Sequence, residues 1–194
     1  MNFLNVEFVK SAASERDFIR DGRPQIVFAG RSNVGKSSVI NKLALKKNLA
    51  RVGSTPGMTA HINYFLIDRT VYLADLPGYG YAKVSEAEKK RWASLMETYF
   101  ASGLISLGVL IVDSRHKPTS DDVTMANWFK STGCPLIVLA NKADKLKKSE
   151  IEPNLETIRQ TLDIGGDTPV ILFSAEKGTG RDELISEILR RVGK

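Results

Sequence analysis

The stretch Gln25–Lys46, with the sequence QIVFAGRSNVGKSSVINKLALK, decides the fold of this 194-residue chain. Its first residues form an apolar run typical of a buried strand, and Val39, Ile40 and Leu43 then recur at helical spacing. Between the two patterns lies the phosphate-loop motif G-x-x-x-x-G-K-S/T, written here as Gly30-Arg31-Ser32-Asn33-Val34-Gly35-Lys36-Ser37. Because the motif has its required strand-loop-helix context, the stretch predicts a binding site for a nucleoside triphosphate.

Each position of this loop has a chemical role in that prediction. Gly30 and Gly35 leave the backbone free to point successive N–H groups at phosphate oxygens, and the helix that follows adds its positive dipole end. We expect Lys36 to reach the β- and γ-phosphates and the Ser37 hydroxyl to hold Mg²⁺. The alternative is a glycine-rich turn without a ligand, which the flanking pattern makes the weaker interpretation.

The composition is that of an ordinary globular protein, with 42% hydrophobic and 26% charged residues. The chain has one cysteine, so an internal disulfide is excluded, as suits a reducing cytoplasm. No apolar run reaches the ~18 residues that a membrane span needs. The N-terminus also lacks a signal-peptide pattern. We expect a cytoplasmic monomer without a membrane span, and its net charge of +6 permits a polyanionic partner.

Strand and helix patterns alternate along the chain, which predicts an α/β fold with a mainly parallel, doubly wound sheet. Strand patterns lie at Phe3–Val9, Gln25–Ala29, His61–Ile67, Val71–Ala74, Gly108–Val112, Leu136–Ala140 and Pro169–Phe173. Helical patterns follow Gly35 and lie at Ser85–Phe100, Asp121–Ser131, Ser149–Leu162 and Arg181–Val192. Asp68-Arg69 predicts a hairpin as the one antiparallel pair. We expect a single structural domain, with residues 1–24 as an N-terminal extension and 25–194 as the nucleotide-binding domain.

The sequence Asp75-Leu76-Pro77-Gly78 follows a strand and matches the motif D-x-x-G. Asp75 can hold Mg²⁺ through a water, since Mg²⁺ prefers to keep part of its hydration shell. The Gly78 N–H can meet the γ-phosphate, which would make the following loop sensitive to hydrolysis. Alone, this motif is more often an ordinary turn, but its place after the phosphate loop favours the functional interpretation.

The sequence Asn141-Lys142-Ala143-Asp144 predicts specificity for guanine. The Asp144 carboxylate can accept hydrogen bonds from guanine N1–H and the exocyclic amine, which adenine lacks at those positions. The Lys142 stem would lie along the base, and Asn141 would bridge to the phosphate loop. Backbone N–H groups of Ser174-Ala175 could meet guanine O6. The alternative for Asp144 is the N-cap of an ordinary helix.

This order of motifs is that of Ras-like GTPases, and its wording closely resembles the EngB (YihA/YsxC) family of bacterial GTPases over essentially the whole chain. The resemblance is carried by Gly30 to Ser38, Thr55-Pro56-Gly57-x-Thr59, Asp75 to Lys83, Asp113-Ser114-Arg115 and Glu7 to Ala12. It implies a P-loop, Ras-like GTPase that hydrolyses GTP to GDP in assembly of the large ribosomal subunit. The family is also associated with cell division and septation.

The resemblance also contributes most of our choice of the second Mg²⁺ ligand, Thr59, over its competitor Thr55. Met58 stands where the family usually has Lys or Arg, and Asn141 where it often has Thr. Nucleotide contacts are expected from Gly30, Arg31, Ser32, Asn33, Val34, Gly35, Lys36, Ser37, Gly57, Met58, Thr59, Ala60, His61, Asp75, Leu76, Pro77, Gly78, Asn141, Lys142, Ala143, Asp144, Phe173, Ser174 and Ala175. Catalytic roles are expected for Lys36, Thr59, Gly78 and Asn33.

Tyr79 stands directly after D-x-x-G, where Ras-type enzymes carry a glutamine that orients the attacking water. A tyrosine cannot replace that amide, so we expect slow intrinsic hydrolysis or completion of the site by another group. Asn33 suggests one such group, because similar GTPases use an asparagine there to hold K⁺. The alternative for Asn33 is a turn residue that tolerates left-handed geometry.

Three functional interpretations follow. The leading one is a GTPase switch for the large ribosomal subunit, with rRNA favoured as partner because the loops 46–60 and 76–90 are rich in lysine. The second is a GTP-dependent binding module that acts at the division site with incidental hydrolysis. The third, a small-molecule kinase on the same phosphate loop, is disfavoured by Asp144.

Overall fold

The computed structural model describes residues 1–50, 61–80 and 85–192 of the chain. Within them, seven strands form one sheet in the order β1-β3-β4-β2-β5-β6-β7. The strands are β1 (Val6–Ala12), β2 (Gln25–Gly30), β3 (Ile62–Ile67), β4 (Val71–Asp75), β5 (Ile105–Asp113), β6 (Leu136–Asn141) and β7 (Val170–Leu172). The helices are α1 (Lys36–Leu43), α2 (Glu86–Ala101), α3 (Ser120–Thr132), α4 (Lys148–Leu162) and α5 (Arg181–Val192).

Helices cover both faces of the sheet, so the central strands are buried on both sides and their sequences are apolar. Every residue of β2, β4 and β6 is buried, which is why these segments are apolar runs rather than alternating patterns. One face packs against α1 and α5 through residues such as Ile40 and Ile188. The other packs against α2, α3 and α4 through residues such as Met96, Phe129 and Ile158. The predicted mainly parallel, doubly wound fold of the Ras-like kind is confirmed.

The N-terminal strand differs from its prediction. It spans Val6–Ala12 rather than Phe3–Val9, because β1 pairs antiparallel with β3 from Val6 opposite Ile67 to Ala12 opposite Ile62. An irregularity between Phe8 and Lys10 breaks the alternation on which the sequence-based prediction depended. The hairpin of β3 and β4 is therefore not the one antiparallel pair. In the described sheet, β3 runs against both of its neighbours, whereas the other adjacent strands are parallel.

Strand β5 is longer than predicted and starts at Ile105 rather than Gly108. It extends because Gln25 at the start of β2 is paired with Ile105, which keeps the two central strands hydrogen-bonded from their first residues. The carboxyl ends of the parallel strands β2, β4, β5 and β6 meet along one edge, where such sheets bind ligands. No helix in the described ranges is both long and apolar enough to cross a membrane.

Candidate nucleotide-binding site

The phosphate loop joins β2 to α1 in a conformation that needs its glycines. Gly35 has a φ of 95° and forms the N-cap of α1. A Cβ atom at Gly35 would also lie 2.5 Å from the Asn141 amide nitrogen, so any larger residue would push apart the two segments that meet there. Asn33 lies in the left-handed region with a φ of 62°. That backbone accounts for asparagine at this position by itself, and the K⁺ role of Asn33 stays a prediction.

Lys36, the first residue of α1, forms an ion pair with Asp75 at the end of β4. The two side chains are only 11% and 9% exposed, so each charge depends on the other. This contact differs from the expected one, in which Lys36 reaches the phosphates and Asp75 faces Mg²⁺. Binding of a triphosphate at the loop would therefore require Lys36 to exchange a carboxylate for phosphate oxygens.

The end of β6 is tied to the phosphate loop by two side chains. The Asn141 amide donates to the Val34 carbonyl at 2.9 Å, and the ammonium group of Lys142 donates to the Asn33 carbonyl at 3.0 Å. Lys142 itself has a φ of 70°, which turns the chain sharply after the strand. These bonds hold the predicted base-binding segment and the predicted phosphate-binding segment in a defined relative position.

Asp113, at the end of β5, holds Lys142 in place. Its Oδ2 accepts from Lys142 Nζ at 2.9 Å, and the Arg115 guanidinium donates to both carboxylate oxygens at 2.9 and 2.7 Å. Burial alone would raise the pKa of Asp113, but the hydrogen bonds from Arg115 and Lys142 outweigh it and hold the pKa well below its usual range. In the sequence, Asp113-Ser114-Arg115 contributes only to the family resemblance, and no motif predicts that Asp113 positions Lys142.

Asp144 is held by Ser174, a residue that was expected to contact guanine through its backbone. The Ser174 hydroxyl donates to Asp144 Oδ1 at 2.7 Å, and this hydrogen bond lowers the pKa of Asp144. The Ser174 N–H, expected to face guanine O6, instead donates a hydrogen bond to the Thr179 carbonyl at 3.1 Å. The Ala175 N–H makes only a long bond of 3.3 Å to Asn141 Oδ1, which leaves Ala175 as the candidate donor to O6.

Tyr79 points away from the phosphate loop. Its hydroxyl donates to Asp122 Oδ1 at 2.7 Å, its ring packs edge-on against Trp92, and the residue is 6% exposed. Burial and the Asp122 charge raise the pKa of Tyr79, so it remains a protonated donor. Its carbonyl accepts from the Ser32 N–H at 2.8 Å, which ties D-x-x-G to the phosphate loop. Asp122 is the third residue of α3 and closes the capping box that begins at Thr119, a pattern that the sequence alone could have shown.

Nine of the other expected contact residues divide into three groups. The side chains of Val34, Leu76 and Phe173 belong to the hydrophobic core, so these residues can meet a nucleotide only through their backbones. His61 and Pro77 line the open cleft beside the phosphate loop. Four further residues lie outside the described residues, namely Gly57, Met58, Thr59 and Ala60.

The cleft has a volume of about 1740 Å³ and is lined by Lys36, Ser37, Asp75, Gly78 and Lys142, among others. In the described part of the chain, no cluster of three His, Cys, Asp or Glu side chains could hold a metal by itself. Mg²⁺ does not need such a cluster, since it retains waters and binds one or two protein oxygens together with phosphates. The hydroxyl of Ser37 and the carboxylate of Asp75 are hard oxygen donors of that kind, so the residues present fit Mg²⁺.

Comparison with known proteins places this geometry in a family. Residues 25–142 match the family described as "50S ribosome-binding GTPase". The probable GTP-binding protein EngB of Geobacillus kaustophilus is 45% identical, covering 97% of each chain. That of Pelotomaculum thermopropionicum is 46% identical and covers 100% of this chain and 98% of its own.

A solved structure supports the same assignment. The crystal structure of a probable GTP-binding protein engB has a TM-score of 0.73 and 25% identity, and the match covers 87% of this chain and 98% of that one. The phosphate loop, D-x-x-G, N-K-x-D and the fold thus agree with full-length sequence similarity. This chain belongs to the EngB family of GTP-binding proteins, and it is a P-loop GTPase with the Ras-like fold.

Proposed function

We propose that this GTPase is a switch in assembly of the large ribosomal subunit, which it binds with GTP and leaves after hydrolysis. The observation that carries the proposal is the match of residues 25–142 to a family described as 50S ribosome-binding. The reaction adds water to the γ-phosphorus and breaks its bond to the β–γ bridging oxygen, and it yields GDP, inorganic phosphate and a proton.

In this proposal, residues at the ends of different strands bind different parts of the nucleotide. Lys36 leaves Asp75 and donates to the β- and γ-phosphates, and Asp144 accepts from guanine while Lys142 covers the base. Mg²⁺ is assigned to Ser37, Thr59 and, through water, Asp75; when bound, it neutralises charge that develops on the phosphate oxygens. Freed from Lys36, the Asp75 carboxylate would otherwise be buried and unpaired, which supports a cation at this position.

Slow intrinsic turnover follows from the position of Tyr79. Its hydroxyl and ring are engaged by Asp122 and Trp92, and neither can orient a water at the γ-phosphate. We assign Asn33 as a ligand of an activating K⁺. Turnover should then be faster in KCl than in NaCl at equal ionic strength, and equal rates would remove Asn33 from the catalytic residues.

The proposed docking surface adjoins the segments that face the γ-phosphate. Lys89 and Lys90 lie in the first turns of α2, and both are exposed. Among the described residues, Lys89 is paired with the exposed Glu86 at 2.7 Å, and a surface pair of this kind is readily exchanged for phosphate. Since each phosphate contact releases counterions, binding to an rRNA surface should weaken steeply with salt.

The experiment is co-sedimentation with large ribosomal subunits in GDP and in a non-hydrolysable GTP analogue, over a salt series. We expect association only with the analogue, and its loss when Lys89 and Lys90 are both changed to Glu. Lys83, which is predicted to belong to the same contact, lies outside the described residues. The matched control changes Lys147 and Lys148, an exposed basic pair at the start of α4, to Glu. It therefore alters the net charge by the same amount. Control and wild type should bind alike.

Three outcomes would contradict the proposal. Equal association with GDP and with the analogue would show that the protein is not a nucleotide-dependent switch. Equal weakening by both charge reversals would show that binding depends on net charge and not on the surface of α2. If no subunit binds in any state while nucleotide binding is intact, the division-site binding module becomes the better interpretation.

A further inference from the structure

The Ser32 hydroxyl is buried and has no hydrogen-bond partner among residues 1–50, 61–80 and 85–192. Buried hydroxyl groups are almost always paired, because an unpaired one loses its bonds to water without replacement. A buried hydroxyl without a partner lowers the stability of the folded protein and calls for an explanation, and a bound ligand that completes its hydrogen bonding is one.

Ser32 lies at the junction of the two motifs that face the terminal phosphate. Its N–H donates to the Tyr79 carbonyl at 2.8 Å, so it is fixed against the D-x-x-G segment. A Cβ atom built on Gly78 would lie 3.3 Å from Ser32 Oγ, which shows how closely the hydroxyl approaches that glycine. Gly78 is also the residue whose N–H is assigned to the γ-phosphate.

The side chain that Ras-type enzymes use at this junction is absent here. Tyr79 is directed into the contact with Asp122, and its ring lies against Trp92 rather than over the phosphate loop. The Lys36 ammonium, in the same loop, is assigned to both phosphates. Among the described residues, Ser32 Oγ is thus a buried side-chain donor without a partner, and it lies between the phosphate loop and Gly78.

We propose that the Ser32 hydroxyl donates a hydrogen bond to a γ-phosphate oxygen of GTP and thereby favours GTP over GDP. This inference rests on the placement of the phosphates in the proposed function. GDP has no γ-phosphate, so the hydroxyl remains unpaired in that state. A hydrogen bond to a charged oxygen is among the stronger ones, and its loss should reduce affinity about tenfold.

Ser114 offers a matched control for the substitution. Its hydroxyl is likewise buried without a partner among the described residues, and the residue is 0% exposed at the end of β5. Ser32→Ala and Ser114→Ala therefore remove the same unpaired group from two places. Both should leave the melting temperature of the nucleotide-free protein unchanged or raise it, because neither breaks a hydrogen bond between described residues.

The experiment measures binding of GDP and of a non-hydrolysable GTP analogue, together with the ³¹P spectrum of the bound analogue. For Ser32→Ala we expect about tenfold weaker binding of the analogue. GDP binding should stay within about twofold, with a displaced γ-phosphate resonance. Ser114→Ala should match the wild type in all three measurements.

Unchanged analogue binding in Ser32→Ala, or equal losses for GDP and the analogue, would overturn the inference. A Lys36→Ala variant separates this failure from that of the site as a whole. If Lys36→Ala binds both nucleotides normally, the placement of the phosphates is wrong. If Lys36→Ala loses both while Ser32→Ala loses neither, only the role of Ser32 is wrong.

Discussion

The two halves of the nucleotide site differ in how their polar groups are paired. On the proposed base side, Asp144 is bonded to Ser174 and paired with Lys145, Lys142 is bonded to Asp113, and Asn141 is bonded to Val34. On the phosphate side, Lys36 is paired with Asp75, the Tyr79 hydroxyl is bonded to Asp122, and the Ser32 hydroxyl has no partner among the described residues. If the proposed roles hold, the base side keeps these contacts to the rest of the protein when nucleotide binds, whereas the phosphate side exchanges partners.

This difference matches what each half has to recognise. Guanine is the same in GTP and GDP, so a rigid base site costs the switch nothing and gives specificity through preorganised hydrogen bonds. The γ-phosphate is present in only one state. Groups that change partners when it binds can couple its presence to the loops around it.

The largest effect is expected from Lys36→Ala on the phosphate side. It removes the phosphate-binding charge and leaves Asp75 buried and unpaired, which should cost about 3–5 kcal/mol in unfolding free energy. Triphosphate binding should fall by at least about 100-fold. Denaturant unfolding and nucleotide titration measure the two effects.

A double variant, Lys36→Met with Asp75→Asn, is the control for Lys36→Ala. It removes both buried charges and should recover most of the stability while nucleotide binding stays lost. If Lys36→Ala unfolds at the wild-type denaturant concentration, the Lys36–Asp75 ion pair does not stabilise the protein as described, and the comparison of the two halves fails.

The next effect concerns the base side. Asp144→Asn should lower the affinity for GTP by about 100-fold, because the charged acceptor for guanine N1–H and the exocyclic amine is lost. It should also improve xanthosine triphosphate, whose ring has a carbonyl at position 2. Competition binding with both nucleotides is the measurement.

Ser174→Ala is the matched control for Asp144→Asn, because it keeps the carboxylate and removes only the hydroxyl that orients it. It should lower the affinity for GTP by about tenfold without raising the affinity for xanthosine triphosphate. A preference for GTP that survives in Asp144→Asn would refute the assignment of the base side.

The smallest effect is expected from Tyr79→Phe. Asp122 Oδ1 loses a buried donor, so unfolding free energy should fall by about 1–2 kcal/mol. Hydrolysis should change by less than about twofold, because the hydroxyl points away from the phosphates. Denaturant unfolding and single-turnover hydrolysis measure these effects. Tyr72→Phe is the control, since its hydroxyl donates to Asp21, a carboxylate that water can reach, and should cost less.

A hydrolysis rate that falls together with stability in Tyr79→Phe would give Tyr79 a direct part in the reaction. The phosphate side would then have its water-orienting residue after all, and the contrast with the base side would narrow. A rate that stays constant while stability falls would support the contrast.

The sequence by itself determined the α/β fold, the phosphate loop, D-x-x-G and N-K-x-D, because these depend on hydrophobic periodicity and on backbone conformations set within a few residues. Gly35 is an example, since its φ of 95° belongs to the loop itself. Gly57–Ala60, including Thr59, lies outside the described residues, so that part of the sequence-based site stays a prediction.

Only the tertiary structure decided which polar groups are paired with each other. Lys36 meets Asp75 across 39 residues of sequence, Tyr79 meets Asp122 across 43, and Ser174 meets Asp144 across 30. The register of β1, with its irregularity at Phe8, likewise depends on a strand more than fifty residues away. Local propensity carries no information about such partners, because they are brought together by the packing of the sheet and its helices.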